Sequence, residues 1–208
     1  KCGTSTDYAN EFGQINVSLK AVHDGEFLYI LASWADATEN VDKNLLTYTD
    51  GAWGKSGNED RIFFMFDIDN GTEGADCASM CHSPDPGLMY TTGGGRVDVW
   101  HWKAARTNPV GLADDKYIND EDRQADDKTI SAYGNNYTTD EDSGVITPKY
   151  SGPISGNFII IAEGDSTGNL TPYDAATDTG LEIPGYYLNA NATNSGEGRH
   201  QVAAKGVY

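Results

Sequence analysis

The chain has 208 residues with 32 acidic against 14 basic side chains, a net charge of -18 and a pI near 4.3. A surplus of negative charge this large excludes a nucleic-acid binder held by a basic footprint and argues against docking on anionic lipid. At this length one domain is the default and a sizeable core can form, with 12 Tyr, 6 Phe and 4 Trp to fill it despite a hydrophobic fraction of only 38%.

The predicted elements are strands. Lys1-Cys2-Gly3 has no signal-peptide layout, so residues 1–14 read as an extension at a mature N-terminus. Residues 15–22 alternate apolar and polar side chains, residues 26–34 are rich in β-formers, and His23-Asp24-Gly25 between them carries an Asp-Gly hairpin signal. Arg61 to Asp67 is too short and too aromatic for a surface helix and reads as a buried strand. Further strands are expected at 97–102, 157–162 and 201–207. Residues 111–144 hold four acidic blocks and read as a long acidic loop with a solvated surface. No convincing helical period appears, and no run of about 20 apolar residues is present to span a membrane as a helix. The fold class is therefore all-β, an antiparallel β-sandwich in one domain over 1–208, with long functional loops.

Five Asn-x-Ser/Thr sequences, at Asn16, Asn70, Asn136, Asn169 and Asn191, point to an exported, glycosylated protein; turn chemistry is the alternative source of so many. Asp67-Ile68-Asp69-Asn70-Gly71 resembles the start of a calcium loop, but Ala78 stands where the bidentate Glu belongs.

Cys77-Ala78-Ser79-Met80-Cys81-His82 is a C-x-x-x-C-H sequence. It lengthens by one residue the signal for covalent haem, in which two thiols bond the porphyrin and the adjacent imidazole reaches the iron. One haem c, attached through Cys77 and Cys81 with His82 on the iron, is the leading reading. A Cys77-Cys81 disulfide and a metal site are the competitors. His101, between Trp100 and Trp102, is the leading second ligand, with the two indoles expected to wall the porphyrin. Met65, Met80, Met89, His23 and His200 are the other donors, and two histidines would fill both axial positions. Lys103 and Arg106 are candidates to neutralise propionates or to form ordinary surface ion pairs.

The blocks Lys20 to Gly25, Ala32 to Thr38, Glu59 to Ile68, Cys77 to His82, Asp98 to Arg106 and Ile183 to Tyr186 occur in the order found in a known family. Together they resemble the haem-binding domain of the γ subunits of ethylbenzene and dimethyl-sulfide dehydrogenases and of related c-type cytochromes. The resemblance implies a β-sandwich, one haem and electron transfer without substrate turnover. In the dehydrogenase subunits the haem is non-covalent and held by a Met and a Lys, which would fall here on Met65 and Lys205. The covalent attachment follows the c-type relatives instead, leaving Met65 as a pocket wall and Met65/Lys205 as the second choice of ligands. Family members continue past the Ala203-Ala204-Lys205-Gly206 segment with a further strand. An uncovered sheet edge and the unpaired Cys2 then favour self-association, up to an extracellular, electron-conducting filament.

Three functions follow: an exported monohaem cytochrome whose partners are redox proteins or identical subunits, the haem subunit of a molybdenum dehydrogenase complex, or a haem-free glycosylated β-sandwich. The expected location is extracellular or on the cell surface, and periplasmic in a bacterium.

Overall fold

A computed structural model of the chain describes residues 16–68, 90–91, 95–125, 130–193 and 202–207. The expected all-β architecture is present: strands and two short 3-10 turns make up the regular structure among these residues. Contacts divide the chain into two compact units, residues 1–39 and 40–208.

In the first unit, β1 (Val17–His23) and β2 (Leu28–Trp34) form an antiparallel hairpin. Its turn is built by the predicted Asp-Gly pair. Gly25 takes a positive φ of 101°, and the Asp24 carboxylate accepts hydrogen bonds from the backbone N–H of Glu26 (2.9 Å) and of Phe27 (2.7 Å). The Tyr29 hydroxyl donates to the same carboxylate at 3.0 Å. The register sets Val17, Leu19 and Ala21 beside Leu28, Ile30, Ala32 and Trp34 on one face, which is apolar apart from His23. Leu19 is nevertheless 58% exposed and Leu28 50%.

The second unit opens with β3 (Leu45–Thr49) and β4 (Ala52–Ser56), joined by Asp50-Gly51 with both residues at positive φ. That is the geometry an Asp-Gly hairpin turn demands. Leu46 and Ile183, both fully buried, exchange backbone hydrogen bonds and form a core cluster with Trp53. A four-stranded sheet follows, β5 (Arg61–Asp67), β6 (Val97–Lys103), β7 (Asp114–Ile118) and β8 (Arg123–Ala125), each antiparallel to the next. Val97, Val99 and Ile118 are buried on one of its faces with Phe63 and Met65 against them. Full burial of each such side chain contributes roughly 1.5–3 kcal/mol.

The remainder comprises β9 (Tyr133–Asn135), β10 (Tyr137–Thr139), β11 (Ile146–Pro148), β12 (Tyr150–Gly152), β13 (Ile154–Ser155), β14 (Phe158–Ile161), β15 (Thr171–Pro172) and β16 (Tyr186–Asn189). A second four-stranded sheet has the order β13-β14-β16-β9, with β14 and β16 parallel. β10 pairs with β11, and β12 with β15.

Two expectations need correction. Residues 111–144 are not one long loop, since they contain β7, β8, β9 and β10, although Asp120, Glu121 and Asp140 to Asp142 are exposed as expected. Asp114 and Asp115 sit in β7, where Asp115 is only 2% exposed and Asp114 is ion-paired. Charge density misled here because two of the acidic residues are interior partners rather than surface charges. The C-terminal segment forms no strand among its described residues, only an isolated bridge between Leu112 and Ala203.

Candidate functional site

The predicted ligand segment is β6, and strand alternation sorts its residues between two faces. Val97, Val99, His101 and Lys103 project to one side; Asp98, Trp100 and Trp102 project to the other. The pairing with β5 sets Met65 opposite Val99 and Phe63 opposite His101, so these residues share the His101 face. On β7 the same face carries Asp114, paired with His101 in the ladder, and Ile118.

His101 is 9% exposed. The ring of Phe63 meets it edge-on, with centroids 5.0 Å apart and planes at 80°. Its Nδ1 has no hydrogen-bond partner among the described residues. Burial, reinforced by the positive charges of Lys103, Arg123, Arg61 and Arg106, pushes its pKa down to about 2. The imidazole is therefore held neutral at physiological pH, the state in which a ring nitrogen donates a lone pair to a metal. A buried, neutral imidazole with an uncommitted nitrogen fits the requirement for a haem-iron ligand.

Met65 and His101 are diagonal neighbours on adjacent strands, a relation that spaces them by about 7–8 Å. Leaving the sheet side by side on one face, they cannot approach an iron from opposite directions. At most one of them would hold a haem iron, and the other would line the pocket.

The two indoles do not flank the imidazole, because both lie on the opposite face. The Trp102 ring is buried beneath Gly206, where no Cβ would fit, and its Nε1 donates to Asn108 Oδ1 at 3.2 Å. Trp100 Nε1 donates to Asp98 Oδ2 at 3.0 Å, and its ring lies 4.6 Å from that of Phe66. Phe66 in turn stacks with Phe64. Any porphyrin against His101 is thus on the other side of the sheet from Trp100 and Trp102.

Arg106 is committed internally. Its Nε and one terminal nitrogen both lie 2.5 Å from Glu59 Oε1, while Glu59 Oε2 accepts from the N–H of Ala105 (2.9 Å) and of Arg106 (3.2 Å). Burial opposes the charge of the guanidinium, but Glu59 outweighs it and the net shift in pKa is upward. The guanidinium also lies over the rings of Tyr133 (4.9 Å) and Tyr186 (5.0 Å). Lys103 pairs with Asp114 and donates to the Tyr133 hydroxyl at 2.7 Å. Burial brings its pKa down to about 8 against the opposing pull of Asp114. This buried group of Glu59, Lys103, Arg106, Asp114, Tyr133 and Tyr186 joins the β5–β8 sheet to the sheet of β9 and β16. Sequence reasoning saw its two cations and missed the partners, which lie up to 80 residues away in the chain. A shallow cleft beside it, lined by Val41, Lys43, Ala105, Phe158 and Tyr186, contains none of the predicted ligands.

Of the remaining candidates, His23 and Lys205 are exposed. Cys2, Asn70, Cys77, Met80, Cys81, His82, Met89 and His200 lie outside the described residues. No group of three or more His, Cys, Asp or Glu side chains gathers as a metal site among the described residues, and no helix there is long and apolar enough to cross a membrane.

The fold and site together define an all-β chain with a buried, neutral imidazole on one sheet face. The family model of ethylbenzene dehydrogenase matches residues 4–208, and the chain belongs to that family. It is the family of the haem-carrying electron-transfer subunit, which is not itself catalytic. No curated protein and no solved structure matches the chain.

Proposed function

We propose that this chain is an exported carrier of single electrons that holds one haem c through Cys77 and Cys81, with His82 and His101 as iron ligands. Bound haem supplies a one-electron couple. The chain's own residues do the rest: His101 presents a neutral nitrogen, and Phe63 fixes its ring from the edge. Met65 lines the same face. The single observation that carries the reading is the buried imidazole with an orphaned nitrogen in a chain of a haem-subunit family. The exposed apolar face of the β1–β2 hairpin supports association with other protein, whether a redox partner or identical subunits assembled into an extracellular filament.

A haem-stained denaturing gel with intact mass tests the attachment: haem retained on the denatured chain is expected, and a chain free of haem with a mass two hydrogens light refutes it. His101→Ala should convert a six-coordinate low-spin spectrum to a high-spin one, and an unchanged spectrum moves the second ligand elsewhere. The family match favours a second reading, a haem subunit within a molybdenum dehydrogenase complex. Purification from native cells separates the two, since that reading requires a stoichiometric molybdenum-containing partner.

A further inference from the structure

Four of the five Asn-x-Ser/Thr sequences have a described Asn, and their side-chain amides are used in opposite ways. Asn136 is fully buried and spends both amide hydrogens: Nδ2 donates to the carbonyls of Tyr150 (3.0 Å) and Pro184 (2.8 Å). Asn191 also spends both, on the carbonyls of Ala162 and Asp165, each at 3.2 Å, while its Oδ1 accepts from the N–H of Gly164 at 2.5 Å. A sugar on an asparagine replaces one of the two N–H bonds of the amide. A glycosylated Asn136 or Asn191 would therefore leave a carbonyl without its donor, and at Asn136 the saccharide would have to be housed inside the protein.

Asn16 and Asn169 are the reverse. Asn16 is exposed immediately before β1, with the exposed hydroxyl residue Ser18 two positions on. Asn169 ends a run, 162–169, in which every residue is exposed, and Thr171 is exposed in β15.

We propose that Asn16 and Asn169 are N-glycosylation sites and that Asn136 and Asn191 stay bare, a proposal that rests on the export in the reading above. In the transfer the Asn amide nitrogen attacks the anomeric carbon of a lipid-pyrophosphate-linked oligosaccharide. The C–N bond forms, the bond from that carbon to the phosphate oxygen breaks, the lipid pyrophosphate departs, and the amide gives up one proton to base. No electrons change hands. Acceptance at a site depends on an Asn that can present its amide outward, and survival in the folded protein depends on that amide having no structural duty.

The experiment is glycopeptide mass spectrometry on the folded protein from its own cells, with haem absorbance read on the same sample. Sugar mass is expected on the peptides containing Asn16 and Asn169, with Asn136 and Asn191 unmodified. Asn169→Gln should remove one glycan mass and leave the haem spectrum unchanged. Sugar on Asn136 or Asn191, or its absence from Asn16 or Asn169, overturns the proposal. A sugar-free protein that carries haem sinks only this inference; a glycosylated protein without haem sinks only the electron-carrier reading.

Discussion

Asn136 offers the sharpest stability test, because one side chain ties three separated segments. Besides the two carbonyls of Tyr150 and Pro184 that it serves, its Oδ1 accepts from the Tyr150 N–H at 3.1 Å. In Asn136→Ala those three groups lose their partner around a fully buried side chain, with Tyr150 itself half-buried. Each stranded buried group costs about 1–3 kcal/mol. A carbonyl keeps a second lone pair and falls at the low end, so about 1 kcal/mol for each carbonyl and 2 for the N–H give about 4 kcal/mol. With a urea dependence of about 2–3 kcal/mol per M, the unfolding midpoint should fall by roughly 1.3–2 M. Asn169→Gln, at an exposed amide, is the control and should stay within about 0.5 kcal/mol. Urea titrations followed by tryptophan fluorescence measure both. A midpoint for Asn136→Ala within about 0.3 M of the parent would refute the reasoning, since it would mean that the three groups find other partners at no cost.

Glu59→Gln removes the charge that holds Arg106 and should cost about 3–5 kcal/mol, on the order of 10 °C in Tm for a chain of this size; an unchanged Tm would show that Arg106 is solvated instead. Leu19→Glu, on the exposed hairpin face, should shift stability by less than about 0.5 kcal/mol in the isolated chain, and a loss above about 1 kcal/mol would mean that the face is covered in solution. The backbone donors Phe27 and Glu26 lower the pKa of Asp24 below its ordinary 3.8, so the turn's stabilisation is full above pH 3.8 and is lost as pH falls through the folded value. The amide shifts of Glu26 and Phe27 should therefore titrate with a midpoint below 3.8, and a midpoint at or above it contradicts the hydrogen bonds.

Local signals in the sequence identified the elements whose causes are local. The Asp24-Gly25 turn with alternating flanks yielded the first hairpin, and the apolar run from Arg61 to Asp67 matches β5 end to end. Asp50-Gly51 carried the same turn signal for β3 and β4, although the polar content of Thr47, Thr49, Lys55 and Ser56 masked their strand character. The buried ionic group was legible only in part. Lys103 and Arg106 stand in one segment, but Glu59, Asp114, Tyr133 and Tyr186 reach them through three other strands and a bridge residue, and no local pattern encodes such pairings. Charge counting also fails for Asp114 and Asp115, whose role is set by what β6 places beside them.

The expectation that Trp100 and Trp102 flank the His101 imidazole meets a rule the sequence already contained. In a strand, neighbours point to opposite faces, so a histidine between two tryptophans is separated from both by the sheet itself. The same rule strengthens one ligand assignment over another. Met65 and His101 leave adjacent strands on one face, so the two together would not serve as the pair of donors that holds a haem iron. If His101 were to hold a haem iron, the register would leave Met65 to line the same face and the second donor would come from a different element. The proposed attachment through Cys77 and Cys81 would supply His82 as that donor without help from the sheet. Replacing Met65 with Leu should then leave the axial ligand field in place and alter only the packing around the haem, whereas a Met/Lys pair would lose its sulfur ligand. Near-infrared and electron paramagnetic resonance spectra of Met65→Leu distinguish the two, and loss of a sulfur-to-iron band would overturn the bis-histidine assignment.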